Sequence, residues 1–343
     1  MSRGMRVLVL VGVLMAVLVA PSASAAVCVN TNYTISELPG LGGPVTQGLD
    51  IAANGDVAGW GLDSAWVSHA LRWSNGQVTN LSSASSSASG ISSNGVVAGS
   101  VSGRRGSQAT TWSPATTLKP PRGASGAGAF DVNSNGLAVG TSTNAIGDPV
   151  AVRWDGTRVT ILASGAGAPS ISLAFAVNDA GTIVGRGDFG TAPFRRALSW
   201  SGTTMTTLKS LGDGVDSATA ISQSGLITGA GLSPIDSKFH AVVWSGTTVT
   251  DLGLFGSAPT QGYGVNSCGT VVGEAVTNVG LEITEAVIWQ GGGQAVALET
   301  LLPSGHGWDL HIARGVNDAG QIVGYGYRSG QSGLRTFLMT PAA

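Results

Sequence analysis

The sequence predicts an all-β fold: a seven-bladed β-propeller of four-stranded repeats, closed by its N-terminal strand. Three observations lead there. A nine-residue pattern recurs seven times, at 51–59, 91–99, 132–140, 177–185, 221–229, 265–273 and 316–324. Each copy opens on an aliphatic residue, passes through a turn glycine and ends on a second glycine four residues later. By subtraction, the closing glycines lie 40 to 51 residues apart, which is the size of one propeller blade. Every unit also holds short apolar segments separated by Gly, Ser and Pro, leaving no room for a helix of normal length. A β-solenoid is the alternative architecture for such an array.

The chain begins with Arg3 and Arg6, an uninterrupted apolar run from Leu8 to Ala20, Pro21, and the small-x-small triplet Ala23-Ser24-Ala25. Residues 1–25 thus read as a secretory signal peptide, and 26–343 as a single repeat domain. The apolar run is shorter than the roughly 20 residues that a bilayer span needs. No membrane span is expected after cleavage, and the expected location is extracellular.

Within a unit, the first segment carries the aliphatic–polar pair, as in Ala174-Phe175-Ala176-Val177-Asn178. A turn follows, and its glycine supplies the positive φ that hairpin turns demand. The second segment is short, as in Thr182-Ile183-Val184-Gly185. The third ends in tryptophan at Trp73, Trp112, Trp154, Trp200, Trp244 and Trp289. The fourth alternates apolar and polar residues, as in Val249-Thr250-Asp251-Leu252, in the manner of a half-buried strand. A tryptophan recurring once per unit is the natural packing residue between neighbouring blades.

The seventh unit stops after its third segment, with Met339 at the tryptophan position. Its missing strand is found at the other terminus, where Thr34-Ile35-Ser36-Glu37-Leu38 matches Thr248-Val249-Thr250-Asp251-Leu252. Residues 33–38 are therefore expected to complete the last blade, because an open array would leave a bare sheet edge. The cysteines fit this closure. Cys268 lies in the turn after the first strand of unit six, and Cys28 precedes the closing strand of unit seven. Alternating strand direction puts both on one face, in adjacent blades. A Cys28–Cys268 disulfide is expected in an exported chain and would contribute about 4–5 kcal/mol in the chain-entropy picture.

The units resemble the HAF repeat of bacterial extracellular proteins, a repeat built on Ile-Asn-x-x-Gly-x-Val-Val-Gly, His-Ala-Phe-Leu-Trp and Asp-Leu-Gly. The likeness rests on residues 177–185, on 316–324, on His240-Ala241-Val242-Val243-Trp244 with Asp251-Leu252-Gly253, and on His69-Ala70-Leu71-Arg72-Trp73. Elsewhere the histidine is replaced by Gln108, Val150, Arg196, Glu285 or Arg335. What the resemblance implies is an exported repeat protein, with no catalytic residues to carry over.

Composition narrows the function. Charged residues make up 10% of the chain, against about 25% in ordinary globular proteins. The net charge of −2 becomes −4 once Arg3 and Arg6 are removed. No basic run exists to neutralise phosphates, so nucleic acid is not an expected partner. Histidines and cysteines lack zinc spacing, and no cofactor or metal is expected. Residues 131–136 match the start of a calcium loop, but the twelfth position is Ser142 rather than a bidentate Glu.

Loop lengths point to the site. Two sets of turns are tight and share one face, while the longer, variable connections share the other, where recognition is expected. The residues after the closing glycines vary: Trp60, Ser100, Thr141, Arg186, Ala230, Glu274 and Tyr325. The longest connection adds His306, Trp308, Asp309 and His311. The expected binding residues are Trp60, Trp66, Arg186, Glu274, His306, Trp308, His311, Tyr325 and Tyr327, on a surface suited to a glycan or peptide. The protein is read as a monomeric, non-catalytic binding or scaffold module outside the cell. Alternatives are a carbohydrate-active hydrolase or lyase using Glu274, Glu282, Glu285 or Asp309, and a purely structural surface protein.

Overall fold

The structure, a computed structural model, describes residues 29–342 except 105, 163–166, 191–194, 213 and 282. The expected signal peptide and Cys28 lie outside the described residues. Seven four-stranded antiparallel sheets form the blades of a β-propeller. We letter the strands a to d, from the axis outward. Strand a is Gly42–Ile51, Ser86–Ile91, Ala127–Val132, Ile171–Val177, Asp216–Ile221, Thr260–Val265 and Trp308–Val316 in blades 1 to 7. Blade 1 continues through Val57–Asp63, Ser68–Ser74 and Gln77–Asn80.

Blade 7 takes its strands b and c from Ile322–Arg328 and Arg335–Pro341, and its strand d from Tyr33–Glu37 at the start of the domain. Ile35 pairs with Met339 and Glu37 with Phe337. The two chain ends therefore share one sheet, as the sequence predicts.

The recurring residues all act between blades. Trp112 packs with Ala58 and Ala70 of blade 1, Trp154 with Ala98 and Ala109 of blade 2, and Trp244 with Val184 and Ala197 of blade 4. Trp73 of blade 1 packs against Val323 of blade 7. At about 25 cal/mol per Å², burying 150–250 Å² per tryptophan stabilises by about 4–6 kcal/mol as an upper estimate. In three of them the indole N–H is satisfied as well, donating to Pro39 O from Trp73 (2.7 Å), to Lys119 O from Trp154 (2.8 Å) and to Lys209 O from Trp244 (2.6 Å), whereas the buried Trp200 Nε1 finds no acceptor among the described residues. Each acceptor directly follows a buried leucine, Leu38, Leu118 or Leu208. In blade 7, where methionine replaces tryptophan, the volume is filled by Trp308 and Phe337, edge to face at 6.1 Å.

A second latch explains the small polar residue of the repeat. Asn133 Oδ1 accepts the N–H groups of Asn135 and Leu137, closing its own turn. Its Nδ2 donates to Asn178 O in the next blade at 2.9 Å. Asn178 donates likewise to Ser222 O, Asn266 to Asn317 O, and Asn317 to Ala52 O. One side chain thereby satisfies groups in two blades, and buried polar groups are left unpaired only at a cost. Near the opposite face a hydroxyl serves the same end: Ser172 Oγ accepts Ala151 N–H, and Thr260 Oγ1 accepts Ala241 N–H.

Candidate functional site

In every blade the register of strand a against strand b slips at the same place. Leu49, Ser89, Phe130, Phe175, Thr219, Tyr263 and Arg314 face no partner there. The closing glycine permits this bulge. A Cβ on Gly59 would lie 2.0 Å from Gln47 O, and one on Gly229 1.9 Å from Ser217 O, so only glycine lets the bulged backbone approach. The seven bulged side chains line one cavity of about 540 Å³ on the axis. It extends among the a–b turns, past Ala53, Ser93, Asp179, Gln223 and Asp318.

This lining is chemically uneven. Phe130 and Phe175 stack at 5.9 Å, and the Arg186 guanidinium lies over Phe175 at 5.8 Å. Arg314 lies over the Tyr263 ring at 4.3 Å. Tyr263 donates its hydroxyl to Glu274 Oε1 at 2.7 Å. Burial raises the Glu274 carboxyl above its ordinary value, against the opposing pull of Tyr263 and Arg314. Burial likewise raises the phenols of Tyr263 and Tyr325 and lowers the Arg186 guanidinium, which Arg195 lowers further. The Nε atoms of Arg186 and Arg314 are buried and find no hydrogen-bond partner among the described residues.

Two carboxylates also reach the cavity. Asp50 accepts the N–H groups of Ile51 and of Ile91 in the next blade, both at 2.8 Å. Asp131 does the same with Val132 and Val177, at 2.7 and 2.8 Å. Burial raises both carboxyls, and the charge of Asp50 pushes Asp131 further. The calcium-loop spacing of 131–136 is thus accounted for by an inter-blade bridge and a turn. No group of three or more His, Cys, Asp and Glu suited to a metal occurs among the described residues.

The sequence-predicted residues fall into separate places. Of those after the closing glycines, Arg186 lines the cavity, and Glu274 and Tyr325 stand behind it, within reach of Tyr263 and Arg314. Trp60, paired with Gln47, is half-buried in blade 1 and does not line the cavity. Trp66 is 69% exposed at the tip of the b–c loop, at φ 64°. Trp308 is only 7% exposed and belongs to the core of blade 7. His306 Nδ1 accepts the Trp308 N–H at 3.1 Å. His311 stands edge to face with Tyr327 at 4.9 Å, its Nε2 3.4 Å from Asp309 Oδ2. Glu285 is raised by burial and by the nearby Glu299 and Asp309. Glu282 lies outside the described residues.

The cavity therefore differs from the expected loop-face surface. Its walls come from bulged residues two positions before each repeat aliphatic. That column varies from Leu49 to Arg314 while its neighbours stay Gly, Ala or Asp, and this contrast is the signal by which it could have been found.

Both repeat histidines are structural. His240 sits between Asp251 (Nδ1, 2.9 Å) and Asp236 (Nε2, 3.1 Å). His69 contacts Ser82 O through Nδ1 and Asp63 Oδ2 through Nε2, both at 2.9 Å. The histidine and the aspartate of the repeat thus meet across strands c (Phe239–Ser245) and d (Thr248–Asp251) of blade 5. In blade 7 the same two positions hold Arg335 and Glu37, 4.0 Å apart.

No family model matches the sequence, and no curated protein is similar to it. Solved structures share the fold. The β-propeller domain of the trilobed protease from Pyrococcus furiosus superposes with a TM-score of 0.56 at 11% identity, over 87% of this chain and 97% of that one. That domain is described as having an open velcro topology. TolB from Acinetobacter baumannii gives 0.50 at 14% identity, over 84% of this chain and 67% of its own. A puromycin-hydrolyzing peptidase from Mycobacterium tuberculosis gives 0.54 at 13% identity, over 82% of this chain and 49% of that one. This chain thus spans about half the length of that peptidase, and at such identities the likeness is one of fold alone.

Proposed function

We propose that the protein is an exported, non-catalytic binding module that takes its ligand in the axial channel. The observation that carries this reading is the bulged ring. Seven side chains at one repeat position converge on a single cavity, and they differ where the surrounding repeat stays alike. A packing role would favour one residue type, as the tryptophan column does. A cavity of this size, with aromatic walls and a few polar groups, suits a small molecule or the end of a chain, such as a glycan or peptide.

Export rests on the signal-like residues 1–25. We further propose the Cys28–Cys268 disulfide as a staple across the closure. Its support is the path of the chain just after Cys28. Asn30 N–H donates to Gln290 Oε1 of blade 6 at 2.7 Å, and Asn30 also approaches Gly320, in the a–b turn of blade 7. Cys268 occupies the corresponding turn of blade 6. Mass analysis of the secreted protein, alkylated without reduction, should find neither thiol modified.

The binding reading is tested on glycan and peptide arrays with the native protein and with Ser89→Trp, which fills the channel from the smallest of the seven bulged positions. Retention by the native protein that is lost in the variant, with no reducing ends released, is expected. Retention unaffected by the variant, or turnover of a polysaccharide, would overturn it.

A further inference from the structure

The axial channel holds two cations that no described carboxylate contacts directly, although Glu274 and Asp50 act on Arg314, and Asp188 on Arg186, from further off. Arg186 and Arg314 form no ion pair within 4.0 Å among the described residues, and each has a buried Nε with no acceptor. Each guanidinium lies over an aromatic ring, Phe175 at 5.8 Å or Tyr263 at 4.3 Å, a contact with the ring face that uses none of its N–H donors. Leaving a partly buried cation and its donors unsatisfied is costly. An acceptor arriving from outside would offset that cost.

We propose that the channel is a carboxylate-binding site, with Arg186 and Arg314 supplying the donors and the rings of Phe130, Phe175 and Tyr263 holding the body of the ligand. The proposal rests on the axial-channel reading above and adds the ligand's chemical class. A planar guanidinium edge matches a carboxylate in a two-point hydrogen-bonded pair. Charge selects against a dianion. Asp50 and Asp131 line the same cavity and Glu274 stands behind Tyr263, so a phosphate would meet several negative groups, whereas a single carboxylate meets fewer unfavourable charges. The stacked aromatic pair favours a carboxylate borne on a flat or ring-shaped body. Such a group comes either from a uronic acid residue of a polysaccharide or from the C-terminus of a peptide ending in an aromatic residue.

Calorimetric titration with four probes separates these sources and tests the class. The probes are digalacturonate, its neutral counterpart galactobiose, the dipeptide Gly-Phe and Gly-Phe amide. At least one acid is expected to bind, with its neutral counterpart about 10- to 100-fold weaker, the range of a charge-assisted pair. Arg186→Gln and Arg314→Gln should each weaken the bound acid by a similar factor, and Arg314→Lys, which keeps charge but loses the fork, by less. Circular dichroism and the melting temperature of each variant confirm folding. Equal binding of acid and amide, indifference to both arginine variants, tighter binding of inorganic phosphate, or binding of no acid would each overturn the carboxylate assignment. A neutral array ligand displaced by Ser89→Trp but not by the arginine variants would sink this proposal and leave the channel reading intact.

Discussion

Asn317 of the last blade donates its Nδ2 to the carbonyl of Ala52 in the first at 3.1 Å, across 265 residues of chain. The bond is the seventh-to-first instance of a latch that also joins blades 3 to 4, 4 to 5 and 6 to 7. It shows that the ring is closed by the repeat's own chemistry as well as by the shared sheet.

The latch makes a graded prediction at Asn178, whose Oδ1 accepts Thr182 N–H and whose Nδ2 donates to Ser222 O. Asn178→Ala should cost about 1–3 kcal/mol in urea unfolding. Asn178→Ser should cost less, because Ser222 already fills the same place in blade 5, its Oγ accepting Leu226 N–H at 3.0 Å. Equal losses from both substitutions would argue against the side-chain acceptor.

Tryptophans should divide by position. Trp244 is 1% exposed and packs against blade 4, so Trp244→Ala should destabilise by about 3–5 kcal/mol. Trp66 is 69% exposed, so Trp66→Ala should stay within about 0.5 kcal/mol. Thermal denaturation of both variants is the comparison.

Glycines of the repeat should also divide. Gly225 has φ +87° and open space where a methyl group would sit, whereas a Cβ on Gly229 would lie 1.9 Å from Ser217 O. Gly225→Ala should cost about 1–2 kcal/mol for its left-handed backbone. Gly229→Ala must displace strand a and should cost more. A urea midpoint lower for Gly225→Ala than for Gly229→Ala would contradict the close-approach explanation.

Removing residues 29–38 takes away strand d of blade 7, with Tyr33 and Leu38, which are 2% and 3% exposed. The edge of Arg335–Pro341 is then bare, and bare edges recruit other chains. Size-exclusion chromatography should show concentration-dependent association and calorimetry a lower melting temperature. A monomer as stable as the intact protein would contradict closure by this strand.

A pH profile should report the His69–Asp63 pair. The hydrogen bond to Asp63 raises His69, against burial, and Asp63 is held low by the Val67 N–H and by His69. A raised histidine stabilises fully below its unfolded value near 6.5 and loses this as pH rises through the folded value. A lowered aspartate stabilises above its unfolded value near 3.9 and loses this as pH falls. The stabilisation is thus greatest between roughly pH 4 and 6.5. The melting-temperature gap between the native protein and His69→Gln should shrink as pH rises from that window. A gap that widens would reverse the assignment.

Blade number, strand count and terminal closure were legible because each rests on local chemistry repeated along the chain. Turn glycines, alternating segments and one tryptophan per unit are visible residue by residue. The match of 34–38 to 248–252 supplied the missing strand. The site was less legible. Trp308 reads as a loop aromatic because it follows the longest connection, yet the methionine at 339 leaves a volume that Trp308 and Phe337 fill. Arg314 and Tyr263 carry no local signal, since neither belongs to a chemical motif and both stand at the variable position of the repeat.

The sequence by itself determined the repeat, its strands and the meeting of its ends, since turn conformation and strand period depend on near neighbours. Only the tertiary structure decided which residues face the axis. That choice is made by a one-residue bulge where strand a passes a closing glycine. A bulge reverses the side-chain alternation on which any reading of inward and outward positions depends.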